Sequence, residues 1–315
     1  MTIAGFGLFA GVQVRGRSLR QKGTEIGKRL KGVGHAGLFP LLLRVCLAQC
    51  YPGATQQKGD LMQENDQTGI RLRDFAVALS LLTRLPVRLP DAAYARGAAA
   101  AWAYPLVGLV LGGLSGLVGS ALLGIGPGLA AIGAIATTVV LSGAMHEDGL
   151  ADVADGFWGG WERSRRLEIM KDSQIGTYGV MALLLGFAVR WWALTQLFGA
   201  GYVLEITIGI AVMSRAGMPV LMAWLPNARR SGLSRSVGRP GLWRAGAAVL
   251  LALGIGGAML SAAAGLIAVL MAVAVGALGL LARAKIGGQT GDVLGAAQQV
   301  TEMVGLVALA ALLVT

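Results

Sequence analysis

Acidic side chains are scarce in this 315-residue chain, yet seven of its 16 acidic residues lie close together. The seven are Glu147, Asp148, Asp152, Asp155, Glu162, Glu168 and Asp172. If the segment is helical, Asp148, Asp152 and Asp155 share one face through their i, i+4, i+7 spacing. Like charges on one face repel each other unless a cation lies among them, and carboxylates suit Mg²⁺ that bridges to substrate phosphates. The spacing therefore predicts a Mg²⁺ site, and Gly149 and Ala151 would leave room for a bulky ligand.

An alternative interpretation of this segment stays open. The acidic residues could form a solvated loop and pair with the basic residues that follow them, which are Arg163, Arg165, Arg166 and Lys171. The acids precede the bases as a block and do not interleave at the spacing of helical ion pairs, which favours the metal site. His146 is the one histidine outside the first 61 residues, and it could be a catalytic base or a structural residue.

Two further segments carry groups that could contact a phosphate. The first enters an apolar run through Gly176, and it could hold an anion on backbone donors or be a plain helix-entry turn. Its candidate residues are Lys171, Asp172 and Ser173. The second is a glycine-rich loop that ends in an aspartate, a pattern that is weak evidence when it stands alone. Its candidate residues are Gln289, Thr290 and Asp292.

Two arginines lie inside apolar runs, where a charge is costly and normally faces the interior of a helical bundle. Arg215 has apolar or small residues on both sides, so it cannot simply extend to the membrane surface. We expect Arg215 to neutralise a substrate phosphate. Arg190 could have the same role or pair with a structural partner.

Long apolar runs are the elements that must position these residues, since 55% of the chain is hydrophobic. Seven runs approach the ~20 residues that cross a bilayer. They are residues 97–123, 129–145, 180–199, 206–225, 245–262, 264–282 and the weaker run 300–315. Only helices satisfy their own backbone in lipid as open-ended segments. The sequence therefore predicts an all-α polytopic membrane bundle of six to seven transmembrane helices, with an interfacial helix over residues 75–86.

The connectors between these runs alternate in charge. Basic residues concentrate before the first run, in residues 146–179 and 226–244, and in residues 283–292, whereas the intervening connectors are almost uncharged. By the positive-inside rule, the charged connectors face the cytoplasm. We expect a multi-pass protein of the inner membrane with cytoplasmic catalytic loops.

Residues 1–61 differ from the rest of the chain. They hold nine of the 27 basic residues, both cysteines and only two acids, so the net charge of +11 does not indicate a nucleic-acid partner. A basic membrane anchor, or a redox or metal site at Cys46 and Cys50, is an alternative. We interpret residues 1–61 as an extension outside the fold, with a natural start at Met62 and an integral-membrane transferase domain over residues 62–315.

These features together indicate a Mg²⁺-dependent enzyme that acts at the cytoplasmic membrane face on a diphosphate-bearing substrate. A transporter would also place charges in spans, but it rarely concentrates acids in one loop. A phosphatidyl-type or prenyl transferase would use spaced aspartates in a similar way. Asp152 stands where the CDP-alcohol pattern has an arginine, which argues against the phosphatidyl-type enzyme.

Several motifs, in the same order, resemble those of the adenosylcobinamide-GDP ribazoletransferases, also called cobalamin-5'-phosphate synthases. The motifs are Leu82-Thr83-Arg84-Leu85-Pro86, Tyr104-Pro105-Leu106-Val107-Gly108, His146–Gly156, Leu167–Ser173 with Ile175–Gly179, and Gly287–Ala296. The resemblance implies that a ribose hydroxyl of α-ribazole, or of its 5'-phosphate, attacks adenosylcobinamide-GDP and releases GMP. It also implies a lipid bilayer as environment, and other cobalamin-pathway enzymes could be partners.

Chemistry then suggests roles for residues in these motifs. We expect Asp148, Asp152 and Asp155 to hold Mg²⁺ and His146 to act as a base. Further residues are expected to contact the substrate: Arg84, Lys171, Asp172, Ser173, Arg215, Gln289, Thr290 and Asp292. Two positions depart from the family pattern. Glu147 stands at a position that is often apolar, and Gln299 stands where a glutamate is expected.

Overall fold

The computed structural model describes residues 69–314, so the expectation for residues 1–61 lies outside the described part. Every regular element within the described range is a helix. The α-helices are α1 (Leu72–Leu82), α2 (Asp91–Tyr94), α3 (Tyr104–Leu122), α4 (Pro127–Ser142), α5 (Met145–Gly159), α6 (Arg163–Ile169), α7 (Thr177–Gly199), α8 (Leu204–Trp224), α9 (Leu233–Val237), α10 (Leu242–Leu260), α11 (Ala263–Ile286) and α12 (Gly291–Val314). A 3₁₀ turn, Gly97–Ala103, leads into α3. The all-α prediction is therefore confirmed.

Six of these helices are long and apolar enough to cross a membrane: α3 with its 3₁₀ turn, α7, α8, α10, α11 and α12. The pair α4 and α5 passes the same test only together, and it is bent by 87°. The 16 residues of α4 rise about 24 Å, less than the ~30 Å of a bilayer core, so the pair supplies a seventh crossing only as one broken span. Helix α5 carries four acidic residues and does not pass the test by itself. A multi-pass bundle of six to seven spans is confirmed.

Helix α8 is the centre of the bundle, because it packs against α3, α10 and α12 and 89% of its apolar stretch is buried. Gly108 and Gly112 of α3 lie directly against the backbone of α8 at Ala211 and Thr207. A side-chain carbon at either glycine would come closer than 3.0 Å to that backbone. Small residues at four-residue spacing therefore let the two helices approach closely, as membrane helix pairs often do.

The bend between α4 and α5 lies at two consecutive left-handed residues. Gly143 (φ 67°) ends α4, and Ala144 (φ 57°) precedes α5. The side chain of Arg84 packs against Gly143, and its backbone N–H donates to the carbonyl of Leu141 at 2.7 Å. Glycine suits the first of these positions, because the backbone is left-handed and the arginine fills the space of a side chain. The bend brings the acidic face of α5 to one end of the bundle.

The charged connectors meet at this same end. Arg166 donates to the carbonyl of Lys285 at 3.0 Å, and Arg163 donates to the carbonyl of Ala228 at 3.3 Å. Helix α6 is therefore in direct contact with the last turn of α11 and with the segment that follows α8. Which side of the membrane this end faces stays a prediction.

Helix α1 is too short to cross a membrane, and it packs on the 3₁₀ turn and α3. Its buried carboxylate, Asp74, pairs with Arg96 and accepts a hydrogen bond from the Trp102 indole at 2.9 Å. Burial opposes ionisation of Asp74, but hydrogen bonds from Arg96, Trp102 and the Arg71 backbone outweigh it and hold its pKa below the usual value. The predicted interfacial helix over residues 75–86 thus begins earlier, at Leu72, and ends at Leu82.

Candidate active site

A cavity of about 160 Å³ opens among the charged connectors, between the start of α5, the segment 226–238 and the start of α12. Its polar lining comprises His146, Asp148, Asn227, Arg229, Ser231, Ser234, Arg235, Gln289, Thr290 and Asp292. Small-molecule pockets commonly measure about 300–1,000 Å³. The cavity therefore suits one charged end of a ligand, with the bulky remainder outside.

Helices α5 and α12 cross in close contact beside this cavity. Gly149 of α5 lies against the backbone of Asp292, and Gly295 of α12 lies against the backbone of His146. The expectation that Gly149 leaves room for a ligand is wrong, because the backbone of α12 fills that space. The close crossing instead brings the carboxylates of Asp148, Asp152 and Asp292 near one another.

The crossing of α5 and α12 brings several carboxylates, all of like charge, close together. Burial, followed by the nearby carboxylates of Asp292 and Asp148, raises the pKa of Asp152 to about 7. Arg229 opposes this shift, and its Nη1 donates to Oδ2 of Asp292 at 2.9 Å. Asp292 also accepts a hydrogen bond from the Thr290 hydroxyl at 3.2 Å. Arg229 thus contacts one of three neighbouring carboxylates and lies near a second, and a cation bound among them would relieve their repulsion.

The segment 226–238 is fastened to the glycine-rich loop before α12. The backbone N–H of Ala228 donates to the Gln289 carbonyl, and the N–H of Gln289 donates to the Pro226 carbonyl, both at 2.8 Å. The Gln289 amide donates to Asn227 at 2.7 Å and accepts from the Ser234 hydroxyl at 2.6 Å. Gln289, a predicted contact residue, therefore fixes the wall of the cavity.

His146 is buried in the first turn of α5 and lines the cavity. Its Nε2 atom has no hydrogen-bond partner among the described residues. Burial, with Arg215 and Arg190 nearby, lowers the pKa of His146 to about 3. The imidazole is therefore neutral, as a proton acceptor must be.

Asp155 occupies a different environment from its predicted partners. Its two oxygens accept the backbone N–H groups of Gly176 and Gly179, at 2.7 and 2.9 Å. Gly176 precedes α7, so the carboxylate satisfies amides that the start of a helix leaves without partners. A metal role for Asp155 stays a prediction, although both of its oxygens already have this structural role.

Lys171, Asp172 and Ser173 lie in an exposed turn after α6, and they do not line the cavity. Asp172 accepts the backbone N–H of Gln174 at 3.2 Å. A second, open concavity of about 400 Å³ lies beside Asp172 and is bounded by Asp155 and Tyr178. The structure thus separates this turn from the carboxylates of the α5–α12 crossing.

The predicted arginine contacts also lie outside the cavity lining. Arg84 packs at the bend before α5, and Arg215 is buried in α8, where it donates to the Ala211 carbonyl at 2.8 Å. A buried ion-pair network lies near Arg215. In it, Arg190 contacts Glu147 at 3.1 Å and Glu302 at 3.6 Å. Arg190 therefore has structural partners, which was one of its two predicted roles.

Sequence reasoning did not single out Arg229, which lies between the carboxylates and the cavity. It is one of five arginines in residues 226–244, and nothing in the local sequence distinguishes it from its neighbours. Its partner Asp292 is 63 positions away. Only the contact between these segments could have identified it.

Mg²⁺ is commonly held by one or two carboxylates together with substrate phosphates, and not by a closed protein cage. In residues 69–314, no three His, Cys, Asp or Glu side chains form a ready metal site. Asp148, Asp152 and Asp292 supply the oxygen donors that this mode of binding requires. Their chemistry fits Mg²⁺ bound jointly with a phosphate ligand.

Comparisons with known proteins cover most of this bundle. The family model for cobalamin-5-phosphate synthase matches residues 74–310. The adenosylcobinamide-GDP ribazoletransferase of Bradyrhizobium diazoefficiens is 44% identical over 251 residues, 76% of this chain and 94% of the relative. Proteins of the same name are 44% identical in Mesorhizobium japonicum (74% and 90% covered) and 40% identical in Brucella ovis (79% and 98% covered). No solved structure matches the chain. With the α5–α12 crossing inside the matched range, the chain belongs to the cobalamin-5-phosphate synthase family.

Proposed function

We propose that the protein transfers the cobinamide phosphate moiety of adenosylcobinamide-GDP to α-ribazole or its 5'-phosphate, in a Mg²⁺-dependent reaction that releases GMP. The names of the relatives support the substrate and the class of transfer. The observation that carries the metal dependence is the crossing of α5 and α12, where Asp148, Asp152 and Asp292 lie near one another and Arg229 pairs with Asp292.

In this reaction, a ribose hydroxyl oxygen forms a bond to the cobinamide-linked phosphorus. The bond from that phosphorus to the oxygen that bridges to the guanosine phosphate breaks, and GMP leaves. Such transfers depend on positioning and charge neutralisation more than on covalent help from the protein. The small cavity would therefore hold the diphosphate, with the corrin ring and the guanosine outside.

Asp148, Asp152 and Asp292 would hold the Mg²⁺, which would neutralise charge on the diphosphate when bound. Asp155 is left out of this set, because backbone amides engage both of its oxygens. Thr290 and Gln289 keep the start of α12 and its loop in place.

His146 would accept the proton of the attacking hydroxyl. Its neutral ring lines the cavity, and its buried Nε2 has no hydrogen-bond partner among the described residues, so this nitrogen could accept a proton. The buried Arg215 and Arg190 disfavour a protonated ring, whereas the negative charge of a bound diphosphate would favour it. The ring would thus become a better base when substrate is present.

We further propose that the protein lies in the inner membrane with this cavity facing the cytoplasm, where soluble enzymes that make its substrates could associate with it. The basic connectors support this orientation. With Cys46 and Cys50 replaced by serine, Arg230→Cys should react with an impermeant maleimide only in inverted vesicles, and Tyr202→Cys only in intact cells. The reverse pattern would contradict the orientation.

The test of the function is GMP release by the purified full chain from adenosylcobinamide-GDP and α-ribazole. We expect a chelator to abolish release and added Mg²⁺ to restore it. Asp152→Asn should lower the rate by about 100-fold or more, because the carboxylates act on developing charge. The matched control Glu162→Gln changes an exposed acid and should leave the rate within about twofold. Chelator-resistant release, or an unchanged Asp152→Asn, would refute the metal role, and substrate uptake without GMP would indicate a transporter.

A further inference from the structure

The Arg229 guanidinium makes fewer hydrogen bonds than its donors could form. A guanidinium has five N–H donors. In the described structure, one Nη contacts Asp292 at 2.9 Å, and the other contacts the Leu167 carbonyl at a long 3.3 Å. The Nε atom is buried and has no partner among the described residues. The side chain is held by a single strong contact.

Hydrogen bonds fix the residue before Arg229, and a short exposed stretch with a left-handed glycine follows Arg229. Ala228 is fastened through its N–H to Gln289 and through its carbonyl to Arg163. Beyond Arg229 lie the exposed Arg230 and then Gly232, a left-handed glycine with φ of 113°. The Arg229 side chain, which is 22% exposed, therefore projects from a fixed point beside the open cavity.

We propose that Arg229 is an exchangeable counter-ion: it holds Asp292 in the free enzyme and moves to the substrate diphosphate when Mg²⁺ takes its place on Asp292. This inference rests on the proposed function. Arg229 touches a predicted metal ligand and lines the same cavity, so one rotation of its side chain would transfer its charge from carboxylate to phosphate. The planar guanidinium fork matches a phosphate in a bidentate manner, which a lysine cannot reproduce.

This role explains an otherwise puzzling arrangement. The carboxylates of the crossing lie near one another, yet the described residues form no ready metal site. An arginine on Asp292 makes metal binding without substrate less favourable, because the metal must compete with it. Metal and diphosphate would therefore bind together more readily than either binds alone.

Two binding measurements test the proposal on the full chain in detergent, without turnover. Mn²⁺ binding, followed by electron paramagnetic resonance, reports the metal site of the substrate-free enzyme. Equilibrium dialysis of adenosylcobinamide-GDP with Mg²⁺, in the absence of α-ribazole, reports substrate binding. For Arg229→Gln, we expect Mn²⁺ affinity to rise about tenfold and substrate affinity to fall about tenfold or more.

The matched control is Arg230→Gln, which removes the same charge from an exposed neighbour and should change neither affinity by more than about twofold. Arg229→Lys should recover only part of the substrate affinity, since it keeps the charge and loses the fork. A fall in both affinities would show that Arg229 merely supports the fold and would overturn the proposal, as would values equal to those of Arg230→Gln. Absence of Mn²⁺ binding both in Arg229→Gln and in the wild type with adenosylcobinamide-GDP present would overturn the proposed metal site as well, whereas unchanged affinities in Arg229→Gln alone would leave that site intact.

Discussion

Glu147 and Gln299 form a buried polar contact between α5 and α12. Oε1 of Glu147 accepts a hydrogen bond from Nε2 of Gln299 and pairs with Arg190, both at 3.1 Å. The two positions predicted to depart from the family pattern are therefore direct neighbours, one on α5 and one on α12. In this chain the carboxylate lies on α5 and the amide on α12, beside the buried Arg190.

Exchanging the two side chains should therefore be tolerated better than changing either one. Glu147→Gln removes the closer carboxylate partner of Arg190, and breaking a buried ion pair costs about 3–5 kcal/mol. We expect Glu147→Gln to lower the unfolding temperature in detergent and the double variant Glu147→Gln/Gln299→Glu to recover at least half of the loss. A double variant whose loss is the sum of the single losses would contradict this pairing.

Substitution of Asp155 should lower stability, whereas substitution of Asp152, only three positions away, should lower activity. Asp155→Asn weakens the carboxylate's two bonds to the backbone at the start of α7, so we expect a loss of about 1–2 kcal/mol of stability. Asp152→Asn relieves repulsion and should preserve the unfolding temperature while activity falls. Thermal unfolding of both variants, measured beside GMP release, checks this division. Equal stability of the two variants would argue for a shared metal role.

At the residue level, the sequence could indicate the acidic segment, but not which of its aspartates meets α12 and which meets the start of α7. Helical spacing placed Asp148, Asp152 and Asp155 together, and their separation depends on which helix each one meets. Asp155 meets the start of α7, whereas Asp152 meets α12. Such long-range contacts leave no local pattern in the sequence.

Among the helices, the contact of α3 with α8 depends on two glycines. Gly112 lies against the α8 backbone, whereas the adjacent Gly113 has open space around it. Gly112→Val should push the helices apart and cost about 2–4 kcal/mol or prevent folding, because overpacking forces the backbone to move. Gly113→Val is the matched control and should express and unfold like the wild type. Equal behaviour of the two variants would show that the close approach is not needed.

Most helices could be predicted from hydropathy, and the exception has a physical reason. The predicted run 264–282 corresponds to α11 (Ala263–Ile286), but the predicted run 300–315 misses the first nine residues of α12. Those residues include Gln298 and Gln299, which are buried in the polar network and not exposed to lipid. A hydropathy scan penalises such residues even where protein surrounds them. The sharp bend before α5 was likewise absent from the prediction, because it depends on two consecutive left-handed residues, one of which is an alanine.

For the molecule as a whole, stability should depend on pH through Asp74. The pKa of Asp74 is lowered in the folded state, so its contribution is present above the unfolded value of about 4 and is lost as the pH falls through the folded value. Asp74→Asn should cost about 3 kcal/mol at pH 7, and the difference from wild type should shrink below pH ~4. Unfolding temperatures at pH 7 and pH 3.5 check this, with the exposed Asp91→Asn as control. A difference that stays constant with pH would refute the ion-pair explanation.

The order of the helices along the chain has a consequence for synthesis. The cavity takes residues from α5, from the segment after α8, and from the first turn of α12, the last of the described helices. A nascent chain that ends before α12 therefore lacks one wall of the cavity and also lacks Asp292, the partner of Arg229. The ribosome delivers these helices to the membrane one after another. The aspartates of α5 therefore lack the neighbouring carboxylate of Asp292 until α12 has been inserted. The protein should gain activity in one step at the end of its biogenesis, and partly inserted chains should be inactive.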